Sequence, residues 1–103
     1  FHKIEMRVGT ILSAKEFPKA HKPAYQMLID FGEQGQKKTS AQITDLYSLE
    51  ELVGKQVIAV TNFPPKQIAN FMSECLVLGL VGETQGVVLI QPGQKVQNGL
   101  RVL

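Results

Sequence analysis

The N-terminal part of the chain alternates between two sets of side chains with a period of two. One set is mostly apolar and comprises His2, Ile4, Met6, Val8, Thr10, Leu12 and Ala14. The other set comprises Lys3, Glu5, Arg7, Gly9, Ile11, Ser13 and Lys15. Such alternation is typical of a half-buried β-strand. Residues 2–15 therefore predict one unusually long strand, and Gly9 marks a place where that strand could bend or carry a bulge.

Shorter apolar patterns predict the other strands. Tyr25, Met27, Ile29 and Phe31 alternate with polar residues and predict a second strand. Two glycines in residues 32–35 indicate a hairpin turn, and a third strand is expected at 37–43. Apolar runs at 57–60, 76–78 and 87–90 predict further strands. We therefore expect about five to seven strands in total.

Only one segment carries a helix signal. Ser48 and Glu51 have the spacing of a capping box, in which each side chain satisfies a free backbone N–H of the other residue. Gly54 stands where such a helix would end. We therefore expect one short helix near residues 48–53, between the third and fourth strands.

The order of these elements predicts an all-β fold. A long first strand, a meander of strands and one short helix fit a five-stranded Greek-key barrel of the oligonucleotide/oligosaccharide-binding (OB) type, with additional C-terminal strands. An immunoglobulin-like sandwich is the weaker alternative, because its Cys–Trp–Cys hallmark is impossible in a chain with one cysteine and no tryptophan.

Composition narrows the class of protein. The chain has 103 residues, 44% of them hydrophobic and 19% charged, and we expect one globular domain over residues 1–103. No apolar run approaches the ~20 residues of a membrane-crossing helix, so no membrane partner is expected. Cys75 is the only cysteine, which favours a reducing compartment and predicts a cytoplasmic location. A formal net charge of +2 does not indicate a basic nucleic-acid-binding tail.

The sequence carries no catalytic or metal-binding pattern. Its candidate bases are His2 and His21, and Cys75 lies beside Glu74 and an apolar run, where a thiol is unreactive. One cysteine and two distant histidines give no metal-ligand spacing. We therefore predict no enzyme activity, no metal and no cofactor.

Residues 61–74 form the most unusual stretch of the chain. They crowd amides and Lys66 around Phe63 and Phe71, between two core strands. Aromatic rings interleaved with amides and a lysine can stack bases and hold a phosphate. The alternative is a proline turn in which the two phenylalanines pack against two strands and hold them together. Elsewhere, the basic residues either form a weak phosphate-binding face or are scattered solvated charges.

Several ordered motifs resemble the tRNA-binding domain family, whose members include domains appended to methionyl- and phenylalanyl-tRNA synthetases and standalone dimers. The motifs are Glu5-Met6-Arg7-Val8-Gly9-Thr10-Ile11, Phe17-Pro18-x-Ala20, Ile29-Asp30-Phe31-Gly32, Leu52-Val53-Gly54-Lys55 and Asn62-Phe63-Pro64-Pro65-Lys66. Residues 40–44 and 73–79 are similar to a standalone branch described as an export-related chaperone. Two departures from the wider family also favour that branch: Ala20-His21-Lys22-Pro23 replaces Ala-Asp-Lys-Leu, and Ser73-Glu74-Cys75-Leu76 replaces Ser-x-Gly-Met.

The resemblance implies a non-enzymatic OB-fold homodimer that binds tRNA by shape. The alternative is a chaperone for unfolded or export-bound polypeptides that uses the apolar surface of the same dimer. Matching the motifs residue by residue implies a set of binding residues, namely Asn62, Lys66, Ser73, Glu74 and Ser40. The basic side chains that we expect to contact phosphates, together with Lys66, are Arg7, Lys37 and Lys38.

Overall fold

Nine strands, one short α-helix and one 3-10 helix (Gly32–Gln34) make up the regular structure of the computed structural model, which describes residues 4–82 and 84–103. The strands are β1 (Met6–Glu16), β2 (Tyr25–Asp30), β3 (Gln36–Ala41), β4 (Gln56–Val60), β5 (Lys66–Ile68), β6 (Phe71–Ser73), β7 (Leu76–Val77), β8 (Gly79–Val81) and β9 (Val87–Leu89). The helix α1 (Leu49–Leu52) lies between β3 and β4, as predicted. His2, which the alternation places on the first strand, lies outside the described residues.

The main sheet has five antiparallel strands in the order β3-β2-β1-β4-β7. In this order β4 returns beside β1 after the meander of the first three strands, which is a Greek key. The two edges meet where β3 contacts residues 73–75. There the Glu74 N–H donates to the Lys38 carbonyl at 2.7 Å, and Thr39 Oγ1 donates to the Cys75 carbonyl at 2.8 Å. These bonds nearly close the sheet into a barrel, and the predicted OB-type architecture is confirmed.

The barrel interior is filled by apolar side chains from the sheet and the helix. Ile11, Ile29, Phe31, Leu52 and Val57 are fully buried. Each such side chain contributes about 1.5–3 kcal/mol of transfer free energy on burial. The core therefore anchors β1, β2, β4 and α1 to one another, and it leaves the outer faces of the strands for other contacts.

The capping box predicted from the sequence is present at the start of α1. The Ser48 N–H donates to Glu51 Oε1 at 2.7 Å, and the Glu51 N–H donates to Ser48 Oγ at 3.3 Å. Gly54, with a φ of +94°, follows the helix end. Because α1 is one turn long, these bonds and the burial of Leu52 hold it in place.

Strand β1 departs from strict alternation at a β-bulge. Its register against β2 shifts between Ile11 and Ser13, so the faces exchange around Leu12. Before the bulge, Gly9 and Ile11 are buried against the core; after it, Ala14 from the other set packs against the core, and Leu12 at the bulge is 40% exposed. The bulge is not at Gly9. A Cβ at Gly9 would come within 2.5 Å of Ile29 Cγ2, so this glycine permits close packing instead.

Two small hairpins raise the number of strands above the five to seven expected. β5 pairs with β6 from Lys66–Ser73 to Ile68–Phe71, and β8 pairs with β9 from Gly79–Leu89 to Val81–Val87. Strands of three residues are too short to show an alternating pattern. The stretch 61–74, for which a proline turn was one alternative, thus contains a hairpin.

The C-terminal residues return to the first half of β1. The Val8 N–H donates to the Leu100 carbonyl at 3.0 Å, and the Val102 N–H donates to the Met6 carbonyl at 2.8 Å. Since Arg7 faces Arg101 in this antiparallel pairing, Leu100 and Val102 lie on the same side as Val8 and Met6. The register of β1, β4 and β7 extends this side into an apolar sheet surface, which we call the outer apolar face. It consists of Met6, Val8, Ile58, Val60, Leu76, Leu100 and Val102.

In the described part of the chain, no helix is long and apolar enough to span a membrane.

Candidate nucleic-acid interface

A cavity of about 400 Å³ opens beside the junction that closes the barrel. Its polar side chains are Ser40 from β3, Lys66 from β5 and Ser73 from β6. Its apolar lining consists of Phe63, Pro64, Ile68, Cys75 and Leu76. The barrel closure thus brings together three of the predicted binding residues, although Ser40 and Ser73 lie 33 residues apart in sequence.

The hydroxyl of Ser73 joins the two edges of the barrel. Ser73 Oγ accepts a hydrogen bond from the Ser40 N–H at 3.2 Å and donates to the Cys75 carbonyl at 3.3 Å. It also lies 3.3 Å from Oγ1 of Thr39, a fully buried residue. Ser73 therefore positions the strand that carries Ser40, and its hydroxyl is already engaged within the protein.

Glu74 forms hydrogen bonds with both the N–H and the carbonyl group of Lys38. Glu74 Oε1 accepts the Lys38 N–H at 2.8 Å, while the Glu74 N–H donates to the Lys38 carbonyl at 2.7 Å. The carboxylate thereby fixes the outer edge of β3. The Lys38 side chain is exposed, and its Nζ lies 5.3 Å from the centroid of the Phe71 ring.

Lys66 presents a positive charge at the mouth of the cavity. Its side chain is exposed, and its cross-strand neighbour is Ser73. Over residues 4–82 and 84–103, the one ion pair is between Arg7 and Glu5. The Lys66 ammonium group therefore has no carboxylate partner within this part of the chain, and an anionic ligand could approach it directly.

Arg7 and Asn62 line no part of this cavity. Arg7 Nη2 lies 2.9 Å from Glu5 Oε1, and Arg7 Nη1 donates to the Gly99 carbonyl at 2.7 Å. Asn62 Oδ1 accepts the Glu5 N–H at 2.9 Å. Both side chains fasten the start of β1 to neighbouring segments, so the geometry gives each of them a structural role.

Lys37 and Lys38 lie on opposite faces of β3. Lys37 shares its face with the buried Thr39. Burial raises the pKa of the Cys75 thiol to about 11, although a hydrogen bond with Thr39 and the charge of Lys37 both lower it. The thiol therefore stays protonated at neutral pH.

No group of three or more side chains that could together hold a metal ion occurs in the described ranges.

A larger groove of about 640 Å³ adjoins the cavity and shares Ser40, Ile68 and Leu76 with it. Its lining is mainly apolar and includes Val81 and Val87 from the β8–β9 hairpin. Basic residues His21 and Lys22, from the loop between β1 and β2, form part of its rim. His21 and Lys22, which belong to one of the departures from the wider family's motifs, thus lie next to the candidate site.

The sequence analysis missed the outer face of the first three strands. There Ser13 and Lys15 of β1, Gln26 and Leu28 of β2, and Lys38 of β3 line a cavity of about 200 Å³ together with Phe71. The alternation of polar residues in β2 was a usable signal for this surface. The contribution of β1 to this surface was not visible in the sequence, because the bulge moves Ser13 and Lys15 to the face of Gln26 and Leu28.

Comparison with known proteins decides the family. The family model described as "Putative tRNA binding domain" matches residues 6–101 of the chain. The chain belongs to the tRNA-binding domain family. The match spans β1 through the C-terminal segment that returns to β1, so it includes every element that lines the cavity.

Two solved structures resemble this family member over nearly its whole length. The crystal structure of chaperone CsaA from Bacillus anthracis str. Ames is 50% identical, with a TM-score of 0.92, covering 97% of this chain and 91% of that one. The crystal structure of the CsaA chaperone protein from Picrophilus torridus is 49% identical, with a TM-score of 0.93, covering 98% and 92%. The similarity to the standalone chaperone branch, inferred from residues 40–44 and 73–79, is confirmed.

Methionine–tRNA ligases are also related to this family member. That of Bacteroides fragilis is 35% identical over 102 residues, which are 99% of this chain but 15% of the ligase. That of Methanococcoides burtonii is 31% identical over 99 residues, or 14% of the ligase. The chain therefore spans about one seventh of the length of these relatives.

Proposed function

We propose that residues 1–103 act as one cytoplasmic, non-enzymatic domain that binds tRNA through the surface around Ser40, Lys66 and Lys38. The observation that carries the proposal is the convergence of exposed lysines on both sides of the barrel closure, beside a cavity lined by an aromatic ring. Membership of the tRNA-binding domain family supports the choice of tRNA as the ligand. Ser73 and Glu74 act as positioning residues for this surface.

Affinity in this proposal comes from phosphate contacts and shape. Lys38 and Lys66, with one lysine of the β1–β2 loop, supply roughly two or three phosphate contacts per chain. A dimer then neutralises roughly four to six phosphates, and the logarithm of the binding constant should fall with the logarithm of salt concentration with a slope of roughly −3 to −5. Sequence preference is expected to be weak, because double-stranded RNA is recognised mainly by shape.

The substitution Lys66→Ala tests this binding surface. It should weaken binding to different tRNAs by a similar factor and reduce the salt slope by about 0.7–0.9 for each lost contact. Lys38→Ala should act in the same way. Lys95→Ala is the matched control, since Lys95 is an exposed lysine on another cavity, lined by Gly54 and Gln56.

Two outcomes of that titration would contradict the proposal. One is a tRNA affinity and salt slope unchanged by Lys66→Ala and Lys38→Ala together. The other is an equal effect of Lys95→Ala, which would indicate unspecific attraction by net charge. Asn62→Ala adds a further comparison: an amide displaces no counterion, so any loss of affinity should leave the slope unchanged.

A chaperone function for unfolded or export-bound polypeptides is the second candidate. The mainly apolar groove beside the site supports it, as does the similarity to the two CsaA chaperones. Val81 is 84% exposed at this groove, and Val81→Lys should reduce binding of a permanently unfolded polypeptide while leaving tRNA binding intact. Unchanged polypeptide binding by Val81→Lys would reject the groove as its site.

The outer apolar face supports a homodimer. Val8, Ile58 and Val60 at its centre are buried by their neighbours, while Leu100 and Leu76 at its edges are 48% and 46% exposed. None of its seven residues is charged. A second copy of the same face, related by a twofold axis, would cover it as one sheet packs on another, about 10 Å apart.

Sedimentation of the substitution Leu100→Lys tests the dimer. The wild-type protein should sediment as a dimer at micromolar concentration, and Leu100→Lys should sediment as a monomer, because two like charges would be buried at the twofold contact. Leu46→Lys is the control, since Leu46 is 44% exposed and lies outside the outer apolar face. A monomeric wild-type protein, or a dimeric Leu100→Lys variant, would contradict the proposed interface.

A further inference from the structure

An aromatic pair stands at the edge of the outer face of β1–β3. The rings of Phe17 and Phe71 are 5.5 Å apart at an interplanar angle of 57°. Phe17 is buried, with 4% exposure, while Phe71 is half-buried and lines the cavity of about 200 Å³ described above. Phe17 therefore packs against Phe71, and Phe71 lines the cavity.

Polar and basic side chains of β1–β3 lie next to this ring in two rows that run across the strands. One row across the three strands places Ser13 beside Leu28 and Leu28 beside Lys38; the next row places Lys15 beside Gln26. Ser40 continues the second row, since it pairs with Gln26, and it also lines the cavity at Lys66. The face around Phe71 is thus continuous with the proposed tRNA-binding surface.

The charges of this face suit an anion. Lys15 and Lys38 line the cavity, and no carboxylate lines it. Asp30, on the same face, accepts the Gly32 N–H at 2.9 Å, and Glu74 accepts the Lys38 N–H at 2.8 Å. Both carboxylates keep their charge but point to backbone N–H groups, so the charged side chains that line the cavity itself are the two lysines.

We propose that Phe71 is the stacking platform for one unpaired RNA nucleotide, whose base lies in this cavity. The inference rests on the proposed RNA-binding function and adds a ligand class to it. The Lys38 ammonium group, now 5.3 Å from the ring centroid, moves aside to the nucleotide's phosphate when the base stacks. Gln26 and Ser13 offer hydrogen bonds to the edge of the base.

An unpaired nucleotide fits this site better than a duplex does. A base within a helix is stacked on both faces, so its ring cannot reach a half-buried phenylalanine beside a small cavity. A single-stranded base has a free face and can enter. The amide and hydroxyl at the cavity are both donors and acceptors, so only weak discrimination between bases is expected.

Tryptophan fluorescence reports directly on this contact. The chain has no tryptophan, so Phe71→Trp introduces a single reporter at the platform. Adding single-stranded hexauridylate should quench its emission saturably, whereas a blunt RNA duplex should not. Leu46→Trp is the control, because Leu46 is exposed in the segment between β3 and α1, away from the cavity. Its emission should not respond to hexauridylate.

Affinity measurements on the native ring complete the test. Phe71→Leu should weaken hexauridylate binding roughly 5- to 150-fold, the loss of one stacked base, while Phe71→Tyr retains a stacking ring and should bind like wild type. A melting temperature for each variant shows that it is folded. Unchanged hexauridylate affinity of folded Phe71→Leu, or equal quenching of both tryptophan reporters, would overturn the platform. If wild-type protein still bound tRNA in a Lys66-dependent way, the proposed function would stand without it.

Discussion

The substitution Ser73→Ala tests whether the Ser73 hydroxyl stabilises the closure of the barrel or contacts the ligand. The Ser73 hydroxyl accepts the Ser40 N–H at 3.2 Å and lies 3.3 Å from both Thr39 Oγ1 and the Cys75 carbonyl. The Cys75 carbonyl keeps its bond from Thr39 at 2.8 Å when the hydroxyl is removed. The Ser40 N–H then loses the partner that the structure gives it.

The magnitude follows from that one unsatisfied donor. Leaving a buried donor without a partner costs about 1–3 kcal/mol. Ser40 is half-buried, so water can reach it partly, and we expect a loss of about 1–2 kcal/mol in the free energy of unfolding. For a domain of this size, each 1 kcal/mol lowers the melting temperature by about 4–8 °C, so Ser73→Ala should melt about 4–16 °C below wild type.

Thermal and urea unfolding, followed by circular dichroism, measure this loss. Ser40→Ala is the matched control, because it removes a hydroxyl from the adjacent strand but keeps the N–H that bonds to Ser73. Its stability should change by less than about 0.5 kcal/mol. Well below the melting temperature, Ser73→Ala should retain the wild-type salt slope for tRNA, because serine neutralises no phosphate.

One result would refute the positioning role of Ser73. If Ser73→Ala melted at the temperature of Ser40→Ala yet lost tRNA binding, the hydroxyl would be a ligand contact and the barrel closure would not depend on it.

Three further predictions concern packing, the buried thiol and the helix cap. Gly9→Ala should lose about 1–3 kcal/mol in urea unfolding, because its Cβ would lie 2.5 Å from Ile29 Cγ2; Gly93→Ala, with nothing within 4 Å, should not. Cys75, with its pKa raised to about 11 in the folded state, should resist alkylation at pH 7.5 until the protein unfolds. Since the unfolded thiol, with a pKa near 9, releases its proton first, stability should fall between about pH 9 and 11 by up to about 1.4 kcal/mol per pH unit in wild type, and less in Cys75→Ala. Ser48→Ala should lose about 0.5–2 kcal/mol of unfolding free energy, and an unchanged urea midpoint would show that the capping box is dispensable.

Much of the fold was predictable because its signals are local. The alternation of Tyr25, Met27 and Ile29 follows from the two faces of a strand, and these residues are buried in β2 as expected. The capping box of Ser48 and Glu51 needs only residues three apart, and it forms as predicted. Family membership was also predictable, since it depends on several motifs at fixed intervals along the chain.

The candidate site was only partly predictable, because a binding surface depends on which distant residues meet. Composition and motif matching grouped Arg7 and Asn62 with Lys66; the structure gives both side chains partners at the start of β1, and their contact with tRNA stays a prediction. Lys37 and Lys38 are adjacent in sequence and lie on opposite faces of β3. Whether a lysine is available to a phosphate depends on the strand face it occupies and on the carboxylates near it, and neither is visible in a linear pattern.

By itself, the sequence determined the main strands in their order along the chain, the single capped α-helix and the family, because these rest on local patterns and on ordered motifs. Tertiary structure alone decided the bulge at Leu12, which moves Ser13 and Lys15 onto the outer face. It also decided the closure through Ser73 and the placement of Phe71 beside Lys38. These features depend on contacts between residues remote in sequence, and their energies are set only when the barrel closes and brings its two edges within hydrogen-bonding distance.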